Sequence, residues 1–131
     1  MNLTRKLRFL LVSGGLIAVA IGATLLLSPA TLHASYGTDL GSDVNLLSEI
    51  RAPGGALLVF GALMLLGAWN RRYTFAATLI TAALYLSYGA ARLVSIGLDG
   101  VPHTSLIGGA AIELVLGVAA VFALKRSPAL R

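Results

Sequence analysis

The chain has 131 residues, of which 57% are hydrophobic and only 11% are charged, with a mean hydropathy of +0.88. A soluble domain of this length usually carries about a quarter charged residues, so the composition excludes an ordinary soluble domain and indicates an integral membrane protein. The sequence contains no cysteine, which excludes a disulfide framework and a thiolate metal site. The net charge of +5 does not indicate a nucleic-acid partner, because the positions of the basic residues follow membrane topology instead.

Four apolar stretches each reach the ~20 residues needed to cross a hydrocarbon core of ~30 Å. They cover approximately residues 9–27, 46–69, 74–97 and 104–124. The sequence therefore predicts an all-α protein with a single transmembrane domain over residues 1–131. Its four helices form an up-down-up-down bundle, with a long external loop at residues 28–45. The first stretch exceeds the about 7–15 apolar residues of a signal-peptide core, so we expect an uncleaved first span.

The basic residues are concentrated on one side of this topology. Eight of the ten precede the first span, separate the second from the third or follow the fourth: Arg5, Lys6, Arg8, Arg71, Arg72, Lys125, Arg126 and Arg131. The opposite loops, residues 28–45 and 98–103, contain no Lys or Arg. The positive-inside rule then places both termini in the cytoplasm and the protein in the cytoplasmic (inner) membrane.

Small residues and helix-terminating residues organise the first span and the loop after it. Gly15, Ala18 and Gly22 are spaced by three and four, which predicts close packing against a neighbouring helix. Pro29 ends the first helix because proline cannot continue it. At the far end of the loop, Asp43 is a good N-cap for a helix that begins near Val44 or Asn45.

The second span opens with charged residues and a proline. Glu49 and Arg51 are two positions apart and point to different faces, so each needs a partner elsewhere. Pro53 removes an amide hydrogen and clashes with the carbonyl of Glu49. Two interpretations remain open: a helix kinked at Pro53, which we favour, or a helix that begins at Pro53, a favoured first position.

A polar stripe runs along the third span. At steps of three and four the chain reads Thr74, Thr78, Thr81, Tyr85, Tyr88, Arg92, Ser95 and Asp99. This spacing places all of them on one helix face. Such a face must meet protein or a water-lined cavity, because lipid cannot satisfy polar groups. The stripe predicts one wall of a polar interior.

The fourth span contains one ionisable residue, Glu113, ~15 Å below the outer end of the helix. Side chains lean towards the N-terminus of their helix, so Arg92 and Glu113 converge from antiparallel helices. An unpaired charge at the bilayer centre costs at least ~2.5–3.5 kcal/mol, so we expect these two to pair. His103 beside Asp99 does not predict a metal site, because an all-protein site needs about three or four ligands.

The predicted ligand site lies in the outer third of the bundle and comprises Asn45, Glu49, Arg51, Tyr88, Arg92, Ser95, Asp99 and Glu113. With all groups ionised, its three carboxylates exceed its two guanidinium groups by one charge. Either Glu113 is protonated, or a cation or basic group completes the cluster. The same residues also allow a purely structural network that fixes helix register.

Several of these residues form a pattern that resembles a known family. The pattern comprises Asn45, Glu49-x-Arg51, Gly55, Arg92-x-x-Ser95-x-x-x-Asp99-Gly100 and Glu113. It resembles a bacterial family of small four-helix membrane proteins known only as a domain of unknown function. The resemblance covers the last three spans. It implies this topology, this residue set and a bacterial membrane, and it implies no particular activity.

Three functions remain open from the sequence. The first is binding of a small polar ligand or a lipid headgroup. The second is a membrane enzyme in which Glu113 or Asp99 acts as general acid or base and Arg92 orients an anion. The third is an accessory subunit whose charges are structural. The lipid bilayer is the expected partner, a homo-oligomer or a larger membrane complex remains open, and no cofactor, metal or nucleic acid is expected.

Overall fold

The computed structural model describes residues 2–126, with side chains from Arg5 onwards, and over these residues the chain forms helices and no strands. The helices are α1 (Asn2–Leu27), α2 (Pro29–Ala34), α3 (Val44–Trp69), α4 (Arg71–Asp99) and α5 (Thr104–Arg126). By length and composition α1, α3, α4 and α5 can each cross a membrane, which confirms the predicted all-α protein with four spans. Met1 and residues 127–131, including the predicted topology residue Arg131, lie outside the described residues.

The four long helices pack in chain order, α1 against α3, α3 against α4 and α4 against α5. An apolar cluster joins the start of α1, the end of α3, the start of α4 and the end of α5: Leu7, Leu10, Leu11, Ala68, Ala77, Ala82 and Ala120. Successive long helices are therefore antiparallel. We call the end of the bundle that contains this apolar cluster and the α3–α4 turn the basic end. The opposite end, where α2 lies, is the α2 end.

Glycines allow α1 and α3 to approach closely, as the spacing in the first span predicts. A Cβ atom on Gly22 would lie 2.6 Å from the Leu58 nitrogen and 2.7 Å from the Gly54 oxygen. A Cβ on Gly61 would lie 2.8 Å from the Gly15 oxygen. Real Cβ atoms are not found this close to backbone, so the two helices pack at this distance only with glycine at the crossing.

The segment predicted as the external loop 28–45 is partly helical, and in this respect the prediction is wrong. Pro29 does not only end α1; it also begins α2, because its fixed φ angle suits the first position of a helix. α3 begins at Val44, which agrees with the predicted start near Val44 or Asn45, so the last two residues of the range 28–45 belong to that helix. As predicted, Asp43 caps α3: its carboxylate accepts from the backbone nitrogens of Asn45 and Leu46, at 2.9 and 3.2 Å.

The helix α3 runs continuously through Pro53, so the alternative in which it begins at Pro53 is wrong. Asp43 caps the helix at its first turn, so the residues from Val44 onwards are already helical before the chain reaches Pro53. Pro53 has no amide hydrogen, so the carbonyl of Glu49 lacks the donor that an ordinary residue would supply at that position.

Candidate functional site

A cavity of about 440 Å³ lies at the α2 end, between the four long helices and α2. This volume falls within the range of about 300–1,000 Å³ that is usual for ligand pockets. Its walls are mostly apolar, with Ile17, Ile21 and Leu25 on α1 and Leu106 on α5. The polar residues that line it are His33, Ser35, Tyr36, Glu49, Tyr85, Tyr88, Arg92, Ser105 and Glu113.

Arg92 and Glu113 form the predicted ion pair at this cavity. The Arg92 Nε donates to Glu113 Oε2 at 2.8 Å. The side chain of Glu113 is 11% exposed and that of Arg92 is 35% exposed. The close packing of α4 on α5 positions the pair: a Cβ on Gly89 would lie 2.7 Å from Leu114 Cδ2 on α5. The carboxylate is therefore buried against its neighbour helix, whereas the guanidinium remains accessible from the cavity.

The guanidinium of Arg92 keeps donors that no described side chain uses. Its hydrogen bond to Glu113 occupies Nε, and within residues 5–126 its two terminal nitrogens have no hydrogen-bond acceptor. Arginine presents five N–H donors in a planar fork, which suits a carboxylate or a phosphate. Because Glu113 holds one edge of the guanidinium in place, the other donors are oriented for an anionic group in the cavity.

Tyr85 lies beside the inner end of the cavity and connects α4 to α1. Its hydroxyl donates to the carbonyl of Gly14, and the residue is only 4% exposed. Tyr88, one turn further towards the α2 end, is half-buried and lines the cavity. The polar stripe therefore supplies three cavity residues, namely these two tyrosines and Arg92.

The part of the polar stripe nearer the basic end does not contribute to a polar interior. The hydroxyls of Thr78 and Thr81 are fully buried, but they donate to the carbonyls of Thr74 and Ala77 on their own helix, at 2.7 and 2.8 Å. These threonines are satisfied within α4 and pack like apolar residues. The predicted wall of polar groups is thus restricted to the half of α4 that lies nearer the α2 end.

Half of the predicted ligand-site residues line the cavity and half do not. Glu49, Tyr88, Arg92 and Glu113 line it, whereas Asn45, Arg51, Ser95 and Asp99 are absent from its lining. Asn45 is exposed in the first turn of α3, and Ser95 donates to Asp99 Oδ2 at 3.0 Å on the surface of α4.

Arg51 contacts the end of α1 and does not line the cavity. Its Nη1 donates to the carbonyl of Leu26, one of the last carbonyls of α1, which the helix itself leaves without a donor. It lines a separate, shallow depression that also includes Val44 and Gly55. Without Arg51 and Asp99, the charged groups of the cavity are Glu49, Glu113 and Arg92, so the predicted excess of one carboxylate remains.

The segment from α2 onwards supplies site residues that the sequence did not predict. His33 and Tyr36 line the cavity, with ring centroids 5.2 Å apart. His33 Nδ1 lies 2.9 Å from the carbonyl of Pro29, and because a carbonyl only accepts, Nδ1 carries the proton and Nε2 is left for another partner. Burial raises the pKa of the Tyr36 phenol above its usual value, and the nearby Arg92 guanidinium offsets part of that rise. The phenol is therefore a neutral hydrogen-bond donor.

A signal for these two residues is present in the sequence. They are three positions apart, so in a helix or a helical turn they share one face, and the proline four residues before His33 is the kind that begins a helix. No group of three or more His, Asp or Glu side chains that could hold a metal ion occurs among the residues the structure describes.

One known protein family matches this chain over nearly all of its length. A family model described as a domain of unknown function (DUF4345) matches residues 6–124. The chain belongs to the DUF4345 family. Every residue that lines the cavity falls within the DUF4345 match. No curated protein and no solved structure matches the sequence.

Proposed function

We propose that this DUF4345 protein binds a small ligand, either a polar molecule or a lipid headgroup, through an anionic group of the ligand in the cavity at the α2 end. The observation that carries the proposal is the state of Arg92: it is fixed by Glu113 through Nε at 2.8 Å, and its terminal nitrogens have no acceptor among the described side chains. A mostly apolar cavity with a few convergent polar groups is the usual form of a ligand site.

A second carboxylate offers a further contact for the ligand. Glu113 is paired with Arg92, whereas Glu49 lines the same cavity and is exposed. A ligand with an anionic oxygen for Arg92 and a hydroxyl or ammonium group for Glu49 would contact both residues. The Nε2 of His33 and the phenol of Tyr36 offer further polar contacts at the end nearest α2.

The orientation in the membrane belongs to the same proposal. We place both termini in the cytoplasm and the α2 end outside, in the cytoplasmic (inner) membrane of a bacterium. The described basic residues near the basic end support this orientation through the positive-inside rule: Arg5, Lys6, Arg8, Arg71, Arg72, Lys125 and Arg126. The ligand would then reach the cavity from outside the cytoplasm or from the outer leaflet.

The placement of Asp99 weakens the enzyme alternative. That alternative uses Glu113 or Asp99 as general acid or base, and Asp99 lies on the exposed surface, bonded to Ser95 and outside the cavity lining. Glu113 lines the cavity, but its carboxylate already accepts from Arg92, the residue that would orient the anion. We therefore favour binding over acid/base catalysis. The Glu113→Gln variant distinguishes binding from the accessory-subunit alternative.

Mass spectrometry of small molecules retained by the purified protein tests the proposal. We expect Arg92→Gln to reduce retention of the native ligand by about 10–100-fold, because a hydrogen bond to a charged group contributes about 1.5–3 kcal/mol. The glutamine amide can still donate to Glu113, so the fold should survive, and Asp99→Asn is the control that leaves the cavity unchanged. Equal retention by wild type and Arg92→Gln contradicts the proposal.

Glu113→Gln separates binding from a structural network. In a binding site, the glutamine oxygen can still accept from Arg92, so we expect an unfolding temperature close to that of wild type and a lower yield of retained ligand. A structural network that depends on the charge of the carboxylate would instead lose stability in detergent whether or not ligand is present. That result would support the accessory-subunit alternative.

A further inference from the structure

The helices α1 and α5 touch at one end of the bundle and are separated by the cavity at the other. At the basic end, Leu11 and Ala120 belong to the same apolar cluster. Ten residues along α1 lead to Ile21, and eleven residues back along α5 lead to Gly109. Both steps rise about 15–17 Å, so the two residues lie at the same level of the antiparallel pair. Both of them line the cavity.

The glycines on α5 mark where its close packing ends and open space begins. A Cβ on Gly117 would lie 2.6 Å from Leu86 Cγ on α4, so α5 is tightly packed there. A Cβ on Gly109 would meet no described atom within 4 Å. On α1, Ile21 lines the cavity and is 38% exposed, so no neighbouring helix covers it at this level.

The gap lies within membrane-spanning segments and its walls are mostly apolar. The cavity residues of α1 include Ile17, Ile21 and Leu25, and those of α5 are Leu106 and Gly109 between Ser105 and Glu113. At this depth the surroundings are hydrocarbon, which cannot hydrogen-bond, and a water-filled opening with these walls would leave apolar surface exposed to water. An alkyl chain fits such a gap better than water or a polar molecule does.

From this arrangement we infer that the ligand is a phospholipid that enters from the bilayer, with its phosphate at Arg92, a hydroxyl or ammonium group at Glu49 and an acyl chain between α1 and α5. The inference rests on the proposed function and names its ligand class. The polar residues of the cavity hold the headgroup at the level of Arg92, and the gap lets the chain remain in the leaflet at the α2 end. A soluble phosphate ester would supply the same headgroup chemistry without using the gap.

Two probes distinguish these sources on purified, delipidated protein in detergent: dioleoyl phosphatidylglycerol and sn-glycerol 3-phosphate, each titrated and followed by native mass spectrometry. We expect the phospholipid to bind at least ~10-fold more tightly, because only it can place a chain in the gap. Equal affinities would overturn the inference and leave the proposed function standing. Binding of neither probe would overturn both.

Two neighbouring glycines on α5 provide a matched pair of variants. Gly109→Leu places a side chain in the gap, whereas Gly108→Leu places the same side chain on the exposed face, where a Cβ also meets no described atom within 4 Å. We expect Gly109→Leu to weaken phospholipid binding at least ~10-fold and Gly108→Leu to leave it unchanged. Unchanged phospholipid binding by both variants would overturn the inference.

Discussion

Replacing Arg92 by Met is expected to destabilise the protein by about 3 kcal/mol, and replacing Glu113 in the same background is expected to restore most of that loss. The single change leaves the Glu113 carboxylate, whose side chain is 11% exposed, without its partner. Breaking a buried ion pair from one side costs about 3–5 kcal/mol. We take the lower end of that range, because the Arg92 side chain is 35% exposed and the cavity admits some solvent.

The double variant Arg92→Met/Glu113→Met removes both charges. Exchanging a buried pair for apolar side chains of similar volume is often neutral or stabilising, so we expect its unfolding free energy to lie within about 1 kcal/mol of wild type. Equilibrium unfolding in mixed micelles is measured for wild type, the two single variants and the double variant. Together the four unfolding free energies give the coupling free energy between the two side chains. Additive effects of the two single changes, with no recovery in the double variant, would show that the two side chains do not interact.

Replacing Gly54 by Ala is expected to destabilise the protein by about 1–3 kcal/mol, whereas the same change at Gly55 is expected to have no cost. A Cβ on Gly54 would lie 2.9 Å from the Leu26 nitrogen and 2.8 Å from Leu25 Cβ, both on α1. Backbone atoms cannot move aside without separating the helices. At Gly55 a Cβ meets no described atom within 4 Å, and alanine favours a helix by up to about 1 kcal/mol over glycine.

The two alanine variants control for each other, because they are adjacent on α3 and change the same group. Thermal unfolding in detergent should place Gly54→Ala below wild type and Gly55→Ala at or above it. The order of the two would be reversed if α3 were rotated by one residue relative to α1. Similar unfolding temperatures for both variants would contradict the close crossing of α1 and α3.

The fold follows from local features of the sequence. Apolar stretches long enough to cross the membrane define the four spans, and Asp43 sets the start of α3 through contacts within its own turn. The Arg92–Glu113 pair was also predictable, because helix rise and the lean of side chains fix the relative depth of two residues on antiparallel helices. Each of these features depends on residues close in sequence or on the packing of one pair of helices.

The parts of the site that could not be predicted depend on longer-range packing. Arg51 turns to the carbonyl of Leu26, a partner that is known only when the end of α1 has been placed beside α3. α2 has six residues, too few to show a helical period, and Tyr36 lies in the turn after it, so the spacing of His33 and Tyr36 alone did not place them at the site. Asp99 is bonded within its own helix, and charge counting alone does not reveal such a local partner.

Photocrosslinking in living membranes tests the proposal that Arg92 presents its free donors to a ligand inside the bundle. A small diazirine-bearing amino acid would replace Leu84, which lines the cavity, or its exposed neighbour Ala83, and the crosslinked adducts would be identified by mass spectrometry. We expect one defined adduct at position 84 that disappears with Arg92→Gln, and a mixture of bulk lipids at position 83. The same mixture at both positions, or an adduct at position 84 that persists with Arg92→Gln, would contradict it.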